Sequence, residues 1–394
     1  MKLLAAISHH GLGHLAQAAP VLNALRRLQP TLDRLDAFDT FELTLWSGLS
    51  HAALHERIEG DFTHRHAAAD VGMIMHDAMR VNLAASHAAY CDFHLDWSER
   101  VQTEAAWMRA QAFDQVLADV AYLPLAAAAQ AAIPATALCS LNWFDISQAY
   151  LQHLDGMPQI LREIRAAYAS AAHFLQPTPA MPMTGLTGIS PLCCTSINPI
   201  AARGRNQHTA LLAKLALPAN STLALIGFGG IGYQGKAELP QVKNLLWLVP
   251  GDWVQSTNAD PSLPQHARQD VLTFQQTGMS FMDLVASSDV MITKVGYGSF
   301  VEATAHQVPV LFLDRPDWPE TPFLTEWLFK NNIAAAIDEA TLFSARIETE
   351  LHALWRQAKK KPIKTDGAEQ AALHLMSQVS QVPQPAHPAH PAPP

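Results

Sequence analysis

Residues 289–303 have the sequence Asp-Val-Met-Ile-Thr-Lys-Val-Gly-Tyr-Gly-Ser-Phe-Val-Glu-Ala. This order predicts a buried strand, a tight turn permitted by two glycines, and a helix that begins near Ser299. The start of a helix presents unpaired backbone amides and a partial positive charge, and Lys294 adds a full charge at the same strand end. The stretch therefore predicts a diphosphate site without a metal ion. Its candidate residues are Lys294, Gly296, Tyr297, Gly298 and Ser299.

Glu302, in the same stretch, has two interpretations. Ser299 and Glu302 have the spacing of a capping box, in which the glutamate only satisfies backbone donors at the start of the helix. Alternatively, a carboxylate one turn beyond a phosphate site is well placed to accept hydrogen bonds from both hydroxyl groups of a ribose. The local pattern supports the two interpretations equally.

Short β-rich runs alternate with helical patterns along the chain, which is typical of parallel sheets covered by helices on both faces. Proline-rich residues near the middle mark a junction between two similar halves. We predict domains at 1–180 and 200–365, a helix at 366–380 and a disordered proline-rich tail at 381–394. The predicted strands are Leu3–Ser8, Phe41–Ser47, Gln115–Asp119, Thr136–Ser140, Thr222–Phe228, Asn244–Val249, Asp289–Thr293 and Pro309–Leu313.

Composition limits the classes of function. The chain has 394 residues, 49% hydrophobic and 15% charged, as expected of a globular protein. A net charge of −9 with only 26 lysines and arginines excludes a broad nucleic-acid surface. There is no run of 18 apolar residues and no signal-peptide core, so any membrane contact would be peripheral. Four cysteines without metal-type spacing suit a reducing compartment, and we predict a cytoplasmic protein.

The N-terminal strand runs into His9-His10-Gly11-Leu12-Gly13-His14 and then into a helical pattern. Glycines between a strand end and a helix start let the backbone approach a ligand, although the third glycine of a dinucleotide fingerprint is absent. An imidazole here could take a proton from an attacking hydroxyl, or it could simply hydrogen-bond the turn. His14 is our candidate for this base, in a loop with His10, Gly11 and Gly13.

Two further loops follow predicted strands in the second half. Gly230 to Lys236 fits G-x-x-x-x-G-K, but Ala237 replaces the required Ser or Thr, so we reject a nucleoside triphosphatase. Gly229 and Gly230 remain suited to close approach of a ligand or of the facing domain. Residues 314–322 form a polar, proline-stiffened loop whose Asp317 and Glu320 are candidates for a sugar-binding rim, or for a purely structural loop.

These motifs resemble a known family. The Lys294–Gly298 turn with Glu302, followed by Arg315-Pro316-Asp317 and Glu320, resembles the donor half of GT-B glycosyltransferases, including the lipid-linked peptidoglycan precursor N-acetylglucosaminyltransferases. The Gly11–His14 loop resembles their acceptor-side loop. Closer still is the glycosyltransferase-like N-terminal half of L-arabinokinases. That resemblance runs through residues 65–72, 77–80 and 142–145.

The resemblance implies an α/β fold of the GT-B type, with two Rossmann-like, doubly wound domains facing each other across a cleft. It implies a nucleoside-diphosphate sugar as co-substrate without a further cofactor, and inversion without a metal. By position, Glu302 would hold the ribose, Gly298 and Ser299 the diphosphate, and Gly229 and Gly230 would line the cleft. Val295 replaces the usual proline, and no sugar-kinase domain follows, so arabinokinase activity is not expected.

The leading functional prediction is glycosyl transfer from a nucleoside-diphosphate sugar to an unidentified acceptor. One alternative is a module that binds a nucleotide sugar without catalysis. Another is a nucleotide-sugar epimerase, since that chemistry also occurs on the GT-B fold and the clustered histidines could serve it.

Overall fold

The structure, a computed structural model, describes residues 1–33, 41–230, 232–235, 238–255 and 268–379. The predicted tail and the Lys236–Ala237 pair lie outside these residues. Within them the chain forms two fully parallel sheets, of seven strands in the first half and six in the second. No helix in this part of the chain is long and apolar enough to cross a membrane.

The N-terminal sheet has the order β3-β2-β1-β4-β5-β6-β7. Alternate residues of β1 enter separate apolar cores on its two faces, with Leu3 on one and Leu4 on the other. Its strands are β1 (Lys2–Ile7), β2 (Glu42–Ser47), β3 (Thr63–His66), β4 (Gln115–Asp119), β5 (Ala135–Leu138), β6 (His173–Pro177) and β7 (Cys193–Ile197). The helices are α1 (Gly13–Asp33), α2 (His51–Arg57), α3 (Leu83–His94), α4 (Trp97–Gln111), α5 (Leu123–Ala131), α6 (Trp143–Leu151) and α7 (Met157–Ala169).

The C-terminal sheet has the order β10-β9-β8-β11-β12-β13 and the same two-faced burial. Its strands are β8 (Thr222–Gly227), β9 (Leu245–Val249), β10 (Val271–Thr273), β11 (Val290–Lys294), β12 (Val310–Leu313) and β13 (Ala334–Ile337). The helices are α8 (His208–Lys214), α9 (Gly251–Gln255), α10 (Phe274–Thr277), α11 (Phe281–Ser287), α12 (Tyr297–Ala305), α13 (Thr321–Asn331), α14 (Glu339–Leu342) and α15 (Arg346–Trp355).

The chain crosses between the two sheets twice. The edge strand β7 pairs with β6, so the first sheet extends beyond residue 180, the predicted end of the first domain. The last helix, α16 (Gly367–Val379), returns to the N-terminal domain and buries Ala371 and Leu375 in the same core as Leu15 and Leu22 of α1. The predicted helix at 366–380 therefore packs on the N-terminal sheet layer, although the chain reaches it from the C-terminal domain.

Candidate active site

A cavity of about 470 Å³ lies between the carboxyl ends of the two sheets and is lined by both domains. Strand ends at such an edge are where open α/β sheets bind ligands. The cavity includes every sequence-predicted site residue except Asp317. These residues are His10, Gly11, Gly13, His14, Gly229, Gly230, Lys294, Gly296, Tyr297, Gly298, Ser299, Glu302 and Glu320.

Two glycines allow the domains to touch across this cleft. A Cβ atom on Gly298 would lie 3.0 Å from the Cβ of Ala16, and one on Gly230 would lie 2.7 Å from the Cγ of Leu12. Both distances are shorter than ordinary van der Waals contact. The glycine loops therefore serve the close approach of the facing domain, and the cavity lies beside these contacts.

His14 forms a buried pair with Asp119 at the end of β4. Its Nδ1 lies 3.1 Å from Asp119 Oδ1, and the two residues are 5% and 0% exposed. Burial lowers the pKa of His14, but the hydrogen bond and negative charge of Asp119 outweigh it, so the pKa lies above the usual value. Burial raises the pKa of Asp119 to about 6. Because Nδ1 faces Asp119, Nε2 remains for a substrate hydroxyl.

His10 is less suited to accept a proton than His14. Its ring stacks on Trp318 with centroids 6.0 Å apart, and its Nδ1 accepts a hydrogen bond from the Met73 amide at 3.4 Å. Burial, followed by the positive charge of His14, lowers the pKa of His10 well below its usual value. Neutral His10 with an occupied Nδ1 can donate from Nε2, which suits a hydrogen bond to substrate.

Glu320 lies at the start of α13 and reaches across to the N-terminal domain. Its Oε1 accepts a hydrogen bond from the Ser140 hydroxyl at 2.6 Å, and its Oε2 accepts one from the Trp318 indole at 3.4 Å. Burial raises its pKa above the usual value. Asp317, by contrast, is exposed, and its carbonyl accepts from the Tyr150 hydroxyl at 2.7 Å. The chain therefore turns Glu320 into the cavity and leaves Asp317 outside it, so Asp317 is not part of the candidate site.

Two basic side chains, Lys294 and Arg315, line the cavity. Desolvation, followed by the positive charge of Arg315, lowers the pKa of Lys294 to about 7. Arg315 is 5% exposed, stacks over Trp318 at 4.6 Å, and its Nε and Nη2 have no hydrogen-bond partner in the described part of the chain. Unpaired buried cations are costly unless an anion joins them. The pair suits a phosphate group.

Helix α12 starts two residues earlier than the sequence predicts. Gly296 is the N-cap and Tyr297 the first helical residue, so Ser299 is not a cap and no capping box forms with Glu302. The Tyr297 hydroxyl accepts from the Ile200 amide at 2.9 Å, so this side chain holds the interdomain segment and only its backbone is left for a ligand. Glu302 lies in the second turn with its carboxylate at the cavity wall.

The carboxylate of Glu302 is paired with Arg57 of α2. Arg57 Nη1 lies 2.6 Å from Glu302 Oε1, and the side chains are 13% and 3% exposed. Sequence reasoning missed Arg57, because nothing in its local pattern sets it apart from a helix-terminal arginine. It also missed Asp119 and Ser140. Both stand at the carboxyl ends of predicted strands, where open α/β sheets bind ligands, and this position could have indicated them.

One group of side chains could hold a metal ion in the part of the chain that the structure describes. It consists of His14, Asp119 and Cys139, whose ligand atoms lie within 4.8 Å of one another. Burial raises the pKa of the Cys139 thiol well above its usual value, and metals bind the thiolate. His14 Nδ1 and Asp119 Oδ1 are already paired with each other. The group therefore suits an acid–base pair better than a metal site, and metal independence stays a prediction.

This architecture is the GT-B glycosyltransferase fold, as predicted. The spinosyn forosaminyltransferase SpnP superposes with a TM-score of 0.56 at 15% identity, over 97% of this chain and 95% of that one. A putative UDP-N-acetylglucosamine 2-epimerase from Listeria monocytogenes gives 0.52 at 15% identity, over 98% of each chain. At this identity the likeness concerns the fold.

The chain is also similar in sequence to a curated protein. L-arabinokinase from Arabidopsis thaliana is 25% identical over 263 residues, which are 66% of this chain and 24% of that protein. The matched region thus spans about a quarter of the relative's length. No protein-family model matches the chain.

Proposed function

We propose that this protein is a glycosyltransferase that transfers a sugar from a nucleoside-diphosphate sugar to an acceptor hydroxyl. The observation that carries the proposal is the placement of His14, which is paired with the buried Asp119 behind it, opposite Lys294 and the start of α12 in a single interdomain cavity. Glycosyl transfer needs both: a base for the acceptor and a positive site for the leaving diphosphate.

In the proposed reaction, the acceptor oxygen attacks the anomeric carbon while the bond from that carbon to the diphosphate oxygen breaks. The acceptor proton passes to Nε2 of His14, and Asp119 stabilises the resulting imidazolium. Lys294 and the amides of Gly298 and Ser299 bind the departing diphosphate, and no metal is required. Attack from the face opposite the diphosphate inverts the anomeric configuration.

The first test is a thermal-shift screen with nucleoside diphosphates and their sugar conjugates. We expect one nucleotide to stabilise the wild type, and Glu302→Ala to lose that stabilisation. Glu326→Ala, which removes an exposed carboxylate from α13 of the same domain, is the matched control and should keep it. Absence of stabilisation by any nucleotide would refute a donor site in this cavity.

The second test separates transfer from the alternatives. Release of nucleoside diphosphate that depends on an added acceptor supports the transferase. Isomerised nucleotide sugar in the absence of acceptor would establish an epimerase, an outcome that the likeness to the Listeria protein makes worth measuring. Nucleotide binding without consumption of any donor across a broad acceptor panel would identify a binding module.

A further inference from the structure

The ion pair between Arg57 and Glu302 joins the two domains inside the cavity. Arg57 ends α2 of the N-terminal domain, whereas Glu302 lies in α12 of the C-terminal domain, 245 residues away in sequence. The two atoms are 2.6 Å apart and the carboxylate is almost completely buried. A pair this short and this buried is a stronger interaction than a surface salt bridge.

Neighbouring groups hold Arg57 in this position. The Asn23 side chain of α1 donates from Nδ2 to the Arg57 carbonyl at 2.9 Å and accepts at Oδ1 from the Glu59 amide at 2.9 Å. The guanidinium lies 5.5 Å from the centre of the Phe281 ring. Both Arg57 and Phe281 line the cavity. The arginine is therefore built into the wall of the cavity and is not a mobile surface residue.

The pair leaves hydrogen-bonding capacity on both partners. Glu302 Oε1 accepts from Arg57, while its Oε2 accepts no hydrogen bond from another described residue. Of the three guanidinium nitrogens of Arg57, only Nη1 donates to groups in the described chain, namely Glu302 Oε1 and the sulfur of Met282. A free acceptor next to free donors matches a hydroxyl group, which donates one hydrogen bond and accepts others.

We propose that Arg57 is a donor-site residue, and that Arg57 and Glu302 together recognise the ribose hydroxyls of a ribonucleoside diphosphate. Glu302 Oε2 accepts a hydrogen bond from one hydroxyl, and the guanidinium both fixes that carboxylate and donates to a hydroxyl oxygen. Since Arg57 belongs to the N-terminal domain, ribose recognition is completed only when the domains are in contact. The inference rests on the proposed function, because it assumes a nucleotide in this cavity.

The experiment compares two probes on wild-type protein and variants. The probes are the ribonucleoside diphosphate that stabilises the protein most and its 2′,3′-dideoxy analogue, with dissociation constants measured by calorimetry. For the wild type we expect the dideoxy analogue to bind at least about tenfold more weakly, as for loss of a hydrogen bond to a charged group. In Arg57→Ala the ribonucleotide should bind more weakly and the ratio should fall several-fold without reaching one, because Glu302 keeps an acceptor for one hydroxyl but loses the guanidinium that fixes it. Arg57→Lys keeps the positive charge but lacks the planar guanidinium with its several donors, so its ratio should lie between those of the wild type and Arg57→Ala.

Arg65→Ala is the matched control. Arg65 pairs with Glu104 and stacks against Trp46 and Trp107, so its loss destabilises the same domain without altering the cavity wall. This variant should keep the wild-type ratio, and if Arg57→Ala fails to fold, Arg57→Gln replaces it. An unchanged ratio and affinity in the Arg57 variants would overturn the inference while the proposed function stands. Failure of every nucleoside diphosphate to bind the wild type would overturn both.

Discussion

The loop between β1 and α1 and the loop between β11 and α12 share one architecture and differ in chemistry. Each leads from a central parallel strand into a helix through closely spaced glycines, and the two helix starts meet across the cleft. Beside the first loop, the neighbouring strand β4 ends in Asp119, which pairs with His14. Beside the second, β12 is followed by Arg315, which adds positive charge next to Lys294.

The comparison shows that the residue at the neighbouring strand end sets the chemistry of each loop. The Asp119 carboxylate outweighs the effect of burial and raises the pKa of His14, whereas burial, followed by the charge of the Arg315 guanidinium, lowers the pKa of Lys294. The first loop is thereby suited to proton transfer and the second to anion binding. Each can be tested by changing one partner.

The largest expected effect is from His14→Ala. Removing the base should lower turnover by roughly 10²- to 10⁴-fold, the usual contribution of general base catalysis. Donor binding should hardly change, because Lys294 and the α12 amides are untouched. Steady-state kinetics measures the loss of turnover, and the nucleotide-induced thermal shift measures whether donor binding is unchanged. Turnover equal to wild type would remove His14 from the mechanism.

Asp119→Asn should have the next largest effect. Turnover at neutral pH should fall about 10- to 100-fold, since the imidazolium formed in the reaction loses a charged hydrogen-bond partner. Without the negative charge, burial dominates and the pKa of His14 falls. The acidic limb of the pH–rate profile, where His14 must lose its proton before it can act, should therefore move to lower pH. A limb that stays in place would mean that another group titrates.

Lys294 predicts a pH dependence of donor affinity. Its pKa of about 7 in the nucleotide-free site means that the charged form dominates below pH 7 and is lost above it. Diphosphate binding requires that charge, so the dissociation constant should rise with pH above 7, by at most about tenfold per pH unit. Lys294→Arg keeps its charge throughout and should flatten the dependence. Equal slopes in both proteins would contradict the assignment.

The smallest effect concerns the contact between the two helix starts. Gly298→Ala places a Cβ 3.0 Å from the Cβ of Ala16, and we expect a loss of about 1–3 kcal/mol in the free energy of unfolding from overpacking. Ala16→Gly removes the opposing atom, at a cost of about 1 kcal/mol in helix propensity. In the double variant the two losses should not add. Denaturant unfolding of all four proteins gives the coupling, and simple additivity would argue against the contact.

All eight predicted strands are interior strands of the two sheets. Their bounds agree with the structure to within two residues at either end. The four edge strands β3, β7, β10 and β13, together with β6, were missed. An edge strand is hydrogen-bonded on one side and partly exposed, so it needs no apolar run: β3 is Thr-His-Arg-His. The sequence predicts part of the cavity lining because parallel strands end at a common edge, where loop residues from separate strands converge.

The order of residues along the chain was sufficient for the two-sheet architecture and the glycine turns, because these depend on neighbours within a few positions. It also placed His14 and Lys294 at strand ends. Only the tertiary structure decided their partners. Asp119 is 105 residues from His14, and Arg57 is 245 residues from Glu302. Pairing at such separations depends on how the sheets and domains pack, and packing sets the burial and charge that give each side chain its pKa.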